Sequence, residues 1–126
     1  MSYRTPLSNV KGLGTANEGS EHFWRQRVTG VANLLLSVFL VYAAFHLVGQ
    51  DLPGVKAFFQ NPLHMVLAAA FVISATYHMR LGMQVVIEDY VHNEGSKIAL
   101  LILNTFFTAF VALAGVYSLL KLSFGA

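Results

Sequence analysis

Residues Pro62–Val91 read PLHMVLAAAFVISATYHMRLGMQVVIEDYV, and where this run lies decides the fold. From Pro62 to Met79 it contains no Asp, Glu, Lys or Arg; Arg80, Glu88 and Asp89 follow before Tyr90. At about 1.5 Å per residue, the uncharged part alone makes about 27 Å of helix, close to the thickness of a hydrocarbon core. The helical pattern then continues to about Val91, where its charged residues reach the headgroups. Two more apolar runs flank this one, about Val28–Val48 (VTGVANLLLSVFLVYAAFHLV) and about Lys97–Leu122. The linkers GQDLPGVKAFFQNP and HNEGS carry Gly, Pro and Asn, as helix stops do. The pattern predicts three transmembrane helices, about 27–49, 62–91 and 97–122.

Composition agrees with that reading. The chain is 56% apolar and 11% charged, where an average soluble domain is about a quarter charged. A soluble domain of 126 residues has too little interior to hide so much apolar surface. The expectation is therefore an all-α membrane protein, with residues 1–126 as one transmembrane domain and 1–26 as a polar N-terminal segment, extended apart from a short interfacial helix near Glu21–Gln26. The first apolar run is too long, and starts too far from Met1, to be a signal peptide. There is no cysteine, which excludes disulfides and thiolate metal sites. The net charge of +2 comes largely from the N-terminal segment and reads as membrane topology, not nucleic-acid binding.

Arg4, Lys11, Arg25 and Arg27 precede the first span and Lys97 follows the second loop, whereas the other side carries only Lys56 and Lys121. By the positive-inside rule the N-terminus and the His92–Ser96 loop face the cytoplasm, as in a multi-pass protein of the bacterial inner membrane. The matrix side of a mitochondrial inner membrane is the less favoured equivalent. Trp24 and Tyr3 fit an interfacial aromatic belt. Gly30, Asn33, Ser37 and Ala44 on the first helix, and Thr105, Thr108, Ala112 and Gly115 on the third, form small or polar faces suited to close helix packing.

The second helix carries the chemistry. Ser74, His78 and Gly82 recur at intervals of four and share one stripe. Asp89, eleven residues beyond His78, returns to within about 20° of that face, about 16 Å further along. Tyr90 is turned toward a neighbouring side. An intramembrane histidine serves as an interhelical hydrogen-bond partner, a proton relay, or a metal or haem ligand, and the residues alone leave these open. Gly82 frees space where a flat ring bound to the imidazole would need it. Haem usually takes two axial ligands. His46 and His64 belong near the opposite interface and His22 and His92 at the cytoplasmic edge, so if His78 binds haem, a second ligand is expected from a partner subunit. Arg80 and Arg27 suit either snorkelling to headgroups or pairing with a haem propionate. A carboxylate at a helix C-terminus opposes the macrodipole, so Asp89 is expected to have a partner in Arg27, Arg80 or another chain.

The spacing H-x3-G-x6-D-Y-V-H, from His78 through Gly82 to Asp89, Tyr90, Val91 and His92, resembles the signature of the hydrophobic membrane anchor subunits of succinate dehydrogenase, the smaller or D-type anchors of respiratory complex II. The upstream R-x-T-G of Arg27, Thr29 and Gly30 fits too. The resemblance implies that His78 is an axial ligand of haem b, shared with the larger cytochrome b anchor subunit. It implies that Tyr90 hydrogen-bonds ubiquinone beside Asp89, and that Arg27 lies near the haem propionates and the quinone. A propionate role for Arg80 is outside that pattern. The implied partners are the cytochrome b anchor, an iron–sulfur subunit, a flavoprotein subunit and membrane lipid, and the implied function is electron transfer from succinate to ubiquinone.

The segment HFWRQRVTG is also similar to the cytochrome b anchor itself, but Gln26 stands before Arg27 and no RH-L-x-x-D motif follows. The residues are compatible, too, with a fumarate reductase anchor working with menaquinone, and with a cofactor-free scaffold or transporter accessory.

Overall fold

The computed structural model describes residues 6–7 and 16–125, so Tyr3, Arg4 and Lys11 lie outside the described residues. Among residues 16–125, four helices follow in order: α1 (Ala16–Leu47), α2 (Leu52–Gln60), α3 (Pro62–Tyr90) and α4 (Glu94–Phe124). Three of them contain stretches long and apolar enough to cross a membrane, of 29, 29 and 31 residues. At 1.5 Å per residue these are about 44–47 Å long, so each outruns a hydrocarbon core of about 30 Å and places its ends among the headgroups.

Residues 16–26 do not form a separate short helix. They are the opening turns of α1, continuous with the membrane span. An ion pair from Arg25 to Glu21, one turn earlier, supports those turns. The acid stands N-terminal to the base, the more favourable order on a helix. Gly49, at φ 78°, then reverses the chain after α1.

The sequence Leu52–Gln60, expected as a linker, is a helix because its ends are capped. Asp51 accepts the Gly54 N–H at 3.0 Å, and Pro53 sits in the first turn, where its missing N–H costs nothing. Asn61 ends α2 and at once caps α3, accepting the Leu63 N–H at 3.0 Å. Between α3 and α4 the chain needs only three residues. Asn93 accepts the Ser96 N–H at 3.0 Å, so α4 starts at Glu94, ahead of the expected Lys97.

α3 lies between its neighbours. It packs on α1 along one side and on α4 along the other, and among the described residues α1 and α4 do not touch. α2 lies across the end remote from the N-terminus and contacts all three long helices. On the α4 side, Asn104 and Thr108 are buried, and Asn104 Nδ2 donates to the Arg80 carbonyl at 3.0 Å. On α1 the buried alanine is Ala43; Ala44, expected on the packing face, is exposed. The outward faces stay apolar, with Leu34 70% and Phe45 81% exposed, which suits lipid or a partner helix.

α3 and α4 approach closely at Gly115. A Cβ built there would lie 2.7 Å from Val72 Cγ1. Val72 is β-branched and its χ1 is nearly fixed in a helix, so it has little room to yield. Gly115→Ala is therefore expected to cost about 1–3 kcal/mol. It should lower the thermal midpoint of the detergent-solubilised protein, whereas Gly19→Ala, with nothing within 4 Å, should not.

Candidate functional site

His78 projects from α3 toward α1, where Thr29 meets it. Thr29 Oγ1 lies 3.0 Å from His78 Nδ1, 2.8 Å from the Arg25 carbonyl oxygen and 3.0 Å from the Gln26 carbonyl oxygen. Those contacts favour one imidazole tautomer. A carbonyl oxygen only accepts, so the single hydroxyl proton goes to the backbone of α1's preceding turn. A lone pair of the hydroxyl then faces Nδ1, an arrangement that suits a ring proton on Nδ1. Nε2 is thereby the free electron pair of His78. One turn earlier on the same stripe, Ser74 Oγ donates to the Thr29 carbonyl at 3.5 Å, a second tie between α1 and α3 at this level.

Gly30 follows Thr29 and lies against the ring. A Cβ added to it would sit 3.6 Å from His78 Cε1. Beside Gly30, a groove of about 580 Å³ runs along α1, lined by Trp24, Arg27, Val28, Val31 and Leu34. Arg27 stands at this groove with its guanidinium carbon 4.3 Å from the centre of the Phe23 ring, a cation–π contact. Gly82 faces α1 as well, and its missing side chain leaves space for Gln26, whose Nε2 would be 3.7 Å from an added Cβ. Among the described residues, three buried polar atoms lack a hydrogen-bond partner: His22 Nε2, Gln26 Oε1 and Asn33 Oδ1. With Thr29 they follow a four-three-four spacing down α1, a polar seam on the His78 side.

Arg80 belongs to the opposite side of α3. Its Nε donates to Thr105 Oγ1 of α4 at 3.4 Å, and its own carbonyl accepts from Asn104. His78 and Arg80 therefore find their side-chain hydrogen-bond partners on different neighbouring helices, α1 and α4.

Asp89 and Tyr90 close α3. Both are exposed, Tyr90 to 78%, and among the described residues neither has a side-chain hydrogen bond. The partner expected for Asp89 in Arg27 or Arg80 is not found within the chain: the ion pair among the described residues is Arg25–Glu21. His92 is exposed in the α3–α4 connection. His46 and His64 lie at the far end, in a packed cluster with Phe39, Tyr42 and Phe58. Among the described residues no group of three His, Cys, Asp or Glu side chains is placed to hold a metal ion.

Thr29 is the site member that the sequence alone does not single out. Its signal is present in R-x-T-G, but only the register of α1 against α3 reveals which residue it meets.

Comparison with known proteins gives this geometry its context. The family described as succinate dehydrogenase/fumarate reductase transmembrane subunit matches residues 1–113. The succinate dehydrogenase hydrophobic membrane anchor subunit of Paracoccus denitrificans is 32% identical over 126 residues, covering 100% of this chain and 97% of that protein. The subunit of the same name in Rickettsia conorii is 31% identical over 118 residues, 93% and 94% of the two chains. The succinate dehydrogenase membrane anchor subunit of Reclinomonas americana is 32% identical over 83 residues, 64% and 69% of the two chains. With three apolar helices and relatives of this kind in bacteria, it is a multi-pass protein of the bacterial inner membrane. The chain therefore belongs to the succinate dehydrogenase/fumarate reductase transmembrane subunit family, as a hydrophobic membrane anchor.

Proposed function

We propose that this anchor, in complex with the other subunits of a succinate dehydrogenase, co-ligates haem b through His78 and completes a ubiquinone-reducing site with Tyr90 and Asp89. The observation that carries the haem reading is the Thr29–His78 contact. A neutral imidazole whose Nδ1–H is already engaged offers Nε2 to a metal, the usual arrangement of a ligating histidine. Two further features fit a flat, anionic macrocycle: the adjoining groove is apolar, and Arg27 provides a cation at that groove. Haem bound there would supply one-electron chemistry, held by His78 from this chain and by the cytochrome b anchor subunit from its own side. Arg27 is the propionate partner in this reading, since Arg80 is engaged on the α4 side.

The quinone reading rests on the end of α3. Tyr90 presents its phenol at a helix terminus, on the side where the positive-inside rule puts the cytoplasm and a docked iron–sulfur subunit. Reducing a quinone takes two electrons and two protons. The phenol O–H donates to a carbonyl oxygen of the substrate and stabilises the negative charge that develops as electrons arrive. Asp89, one residue earlier and solvent-exposed, relays protons to the same locality. The flavoprotein oxidises succinate and the iron–sulfur subunit passes the electrons on, so this chain never meets succinate.

His78→Ala is expected to abolish the b-type band in the reduced-minus-oxidised spectrum of the solubilised complex while three spans remain. An unaltered spectrum and haem content would remove His78 from the coordination sphere. Tyr90→Phe is expected to lower quinone reductase activity by about 10²-fold, with succinate oxidation by an artificial acceptor unchanged. Equal loss of both activities would point to failed assembly and count against a quinone contact.

A further inference from the structure

We infer that Thr29 is the positioning residue of the His78 site: by accepting the Nδ1 proton it fixes Nε2 as the donor atom and strengthens the electron pair that this atom offers to iron. The inference rests on the haem-ligand reading of His78 and goes beyond it, because it concerns what sets the ligand's strength.

The Thr29 hydroxyl is held before any ligand arrives. Back-bonding to the Arg25 and Gln26 carbonyls, at 2.8 and 3.0 Å, restricts χ1 and points the oxygen's lone pair away from its own helix. A hydroxyl that already donates is also the better acceptor, since chained hydrogen bonds polarise one another in a low dielectric. The 3.0 Å contact to Nδ1 therefore draws on the ring proton and makes Nε2 the stronger base. Moreover, within the chain no other hydrogen-bond partner of His78 is found among the described residues. Without the Thr29 oxygen, an Nδ1–H in the membrane interior would be unsatisfied, and the ring would lose both its tautomer and its orientation.

A stronger donor favours ferric over ferrous iron, so the effect is readable as a midpoint potential. In the intact four-subunit complex, Thr29→Val keeps the shape and removes the oxygen, while Thr29→Ser keeps the oxygen. The expected result is a haem in Thr29→Val whose ferric preference falls about tenfold, a rise of about 59 mV for one electron, with Thr29→Ser at the wild-type value. A wild-type potential in Thr29→Val, where His78→Ala lacks haem, would overturn the positioning role and leave the ligand reading standing. Wild-type haem in His78→Ala would remove the ligand reading, and this inference with it.

Should Thr29→Val assemble without haem, the thermal midpoints of a Thr29→Val and His78→Ala double-mutant cycle decide. Destabilisation by Thr29→Val only when His78 is present supports the contact. Equal destabilisation in both backgrounds assigns Thr29 to packing and overturns the inference.

Discussion

In a hydrocarbon solvent a polar side chain must find its partner within the protein, and that constraint organises this molecule around α3. The helix carries polar groups on two sides and is flanked by a helix on each. α1 brings Thr29 to His78, while α4 brings Asn104 to the Arg80 carbonyl and Thr105 to the Arg80 side chain. Because α1 and α4 do not touch among the described residues, α3 is the element common to both sets of contacts. The packing is correspondingly thin: among the described residues the buried apolar side chains are Ala43, Phe59, Leu81 and Ile87. Register between neighbouring helices is set as much by these few polar ties, and by the close approach at Gly115, as by apolar interdigitation.

The same helix separates its chemistry by depth. His78 lies within the span with a satisfied ring nitrogen, whereas Asp89 and Tyr90 lie about 16 Å further along, at the exposed terminus. A position within the span suits a ligand, whose proton must stay off the donor atom. Exposure suits a group that exchanges protons with water. On the proposed reading, one straight helix therefore holds the electron-handling residue away from the proton-handling residues, and no loop is needed to set their separation.

Much of this is legible in the sequence because the dominant signal is one-dimensional. Uncharged length defines three spans, and the interval of four places Ser74, His78 and Gly82 on one face. The departures have physical causes. Ala16–Gln26 is polar enough to resemble loop, yet an i, i+4 ion pair and the absence of any break continue α1 through it. Leu52–Gln60 is hidden by Pro53 and Gly54, which look like helix breakers until Asp51 is recognised as the cap that makes Pro53 a first-turn residue. Thr29 and Arg80 cannot be sorted at all from periodicity. Periodicity gives the face of a helix a residue occupies but not which neighbour that face meets.

Which neighbour each histidine meets also decides how the site is completed. His46 and His64 are already committed. His46 Nδ1 lies 3.0 Å from the Tyr42 carbonyl and His64 Nδ1 lies 3.0 Å from the Phe58 carbonyl, both at the far end of the bundle. His64 Nε2, at 3.5 Å, faces the Tyr42 hydroxyl. Among the described residues only His78 combines a mid-span position with an uncommitted nitrogen, and Gly30, which lies against its ring, also borders the apolar groove where Arg27 stands. This chain would then supply, on the proposed reading, one of the two protein ligands of a haem and a partner subunit the other. On the proposed reading the cofactor is a joint between subunits: each anchor holds an incomplete site, and haem binding and association of the anchors stabilise one another by mass action.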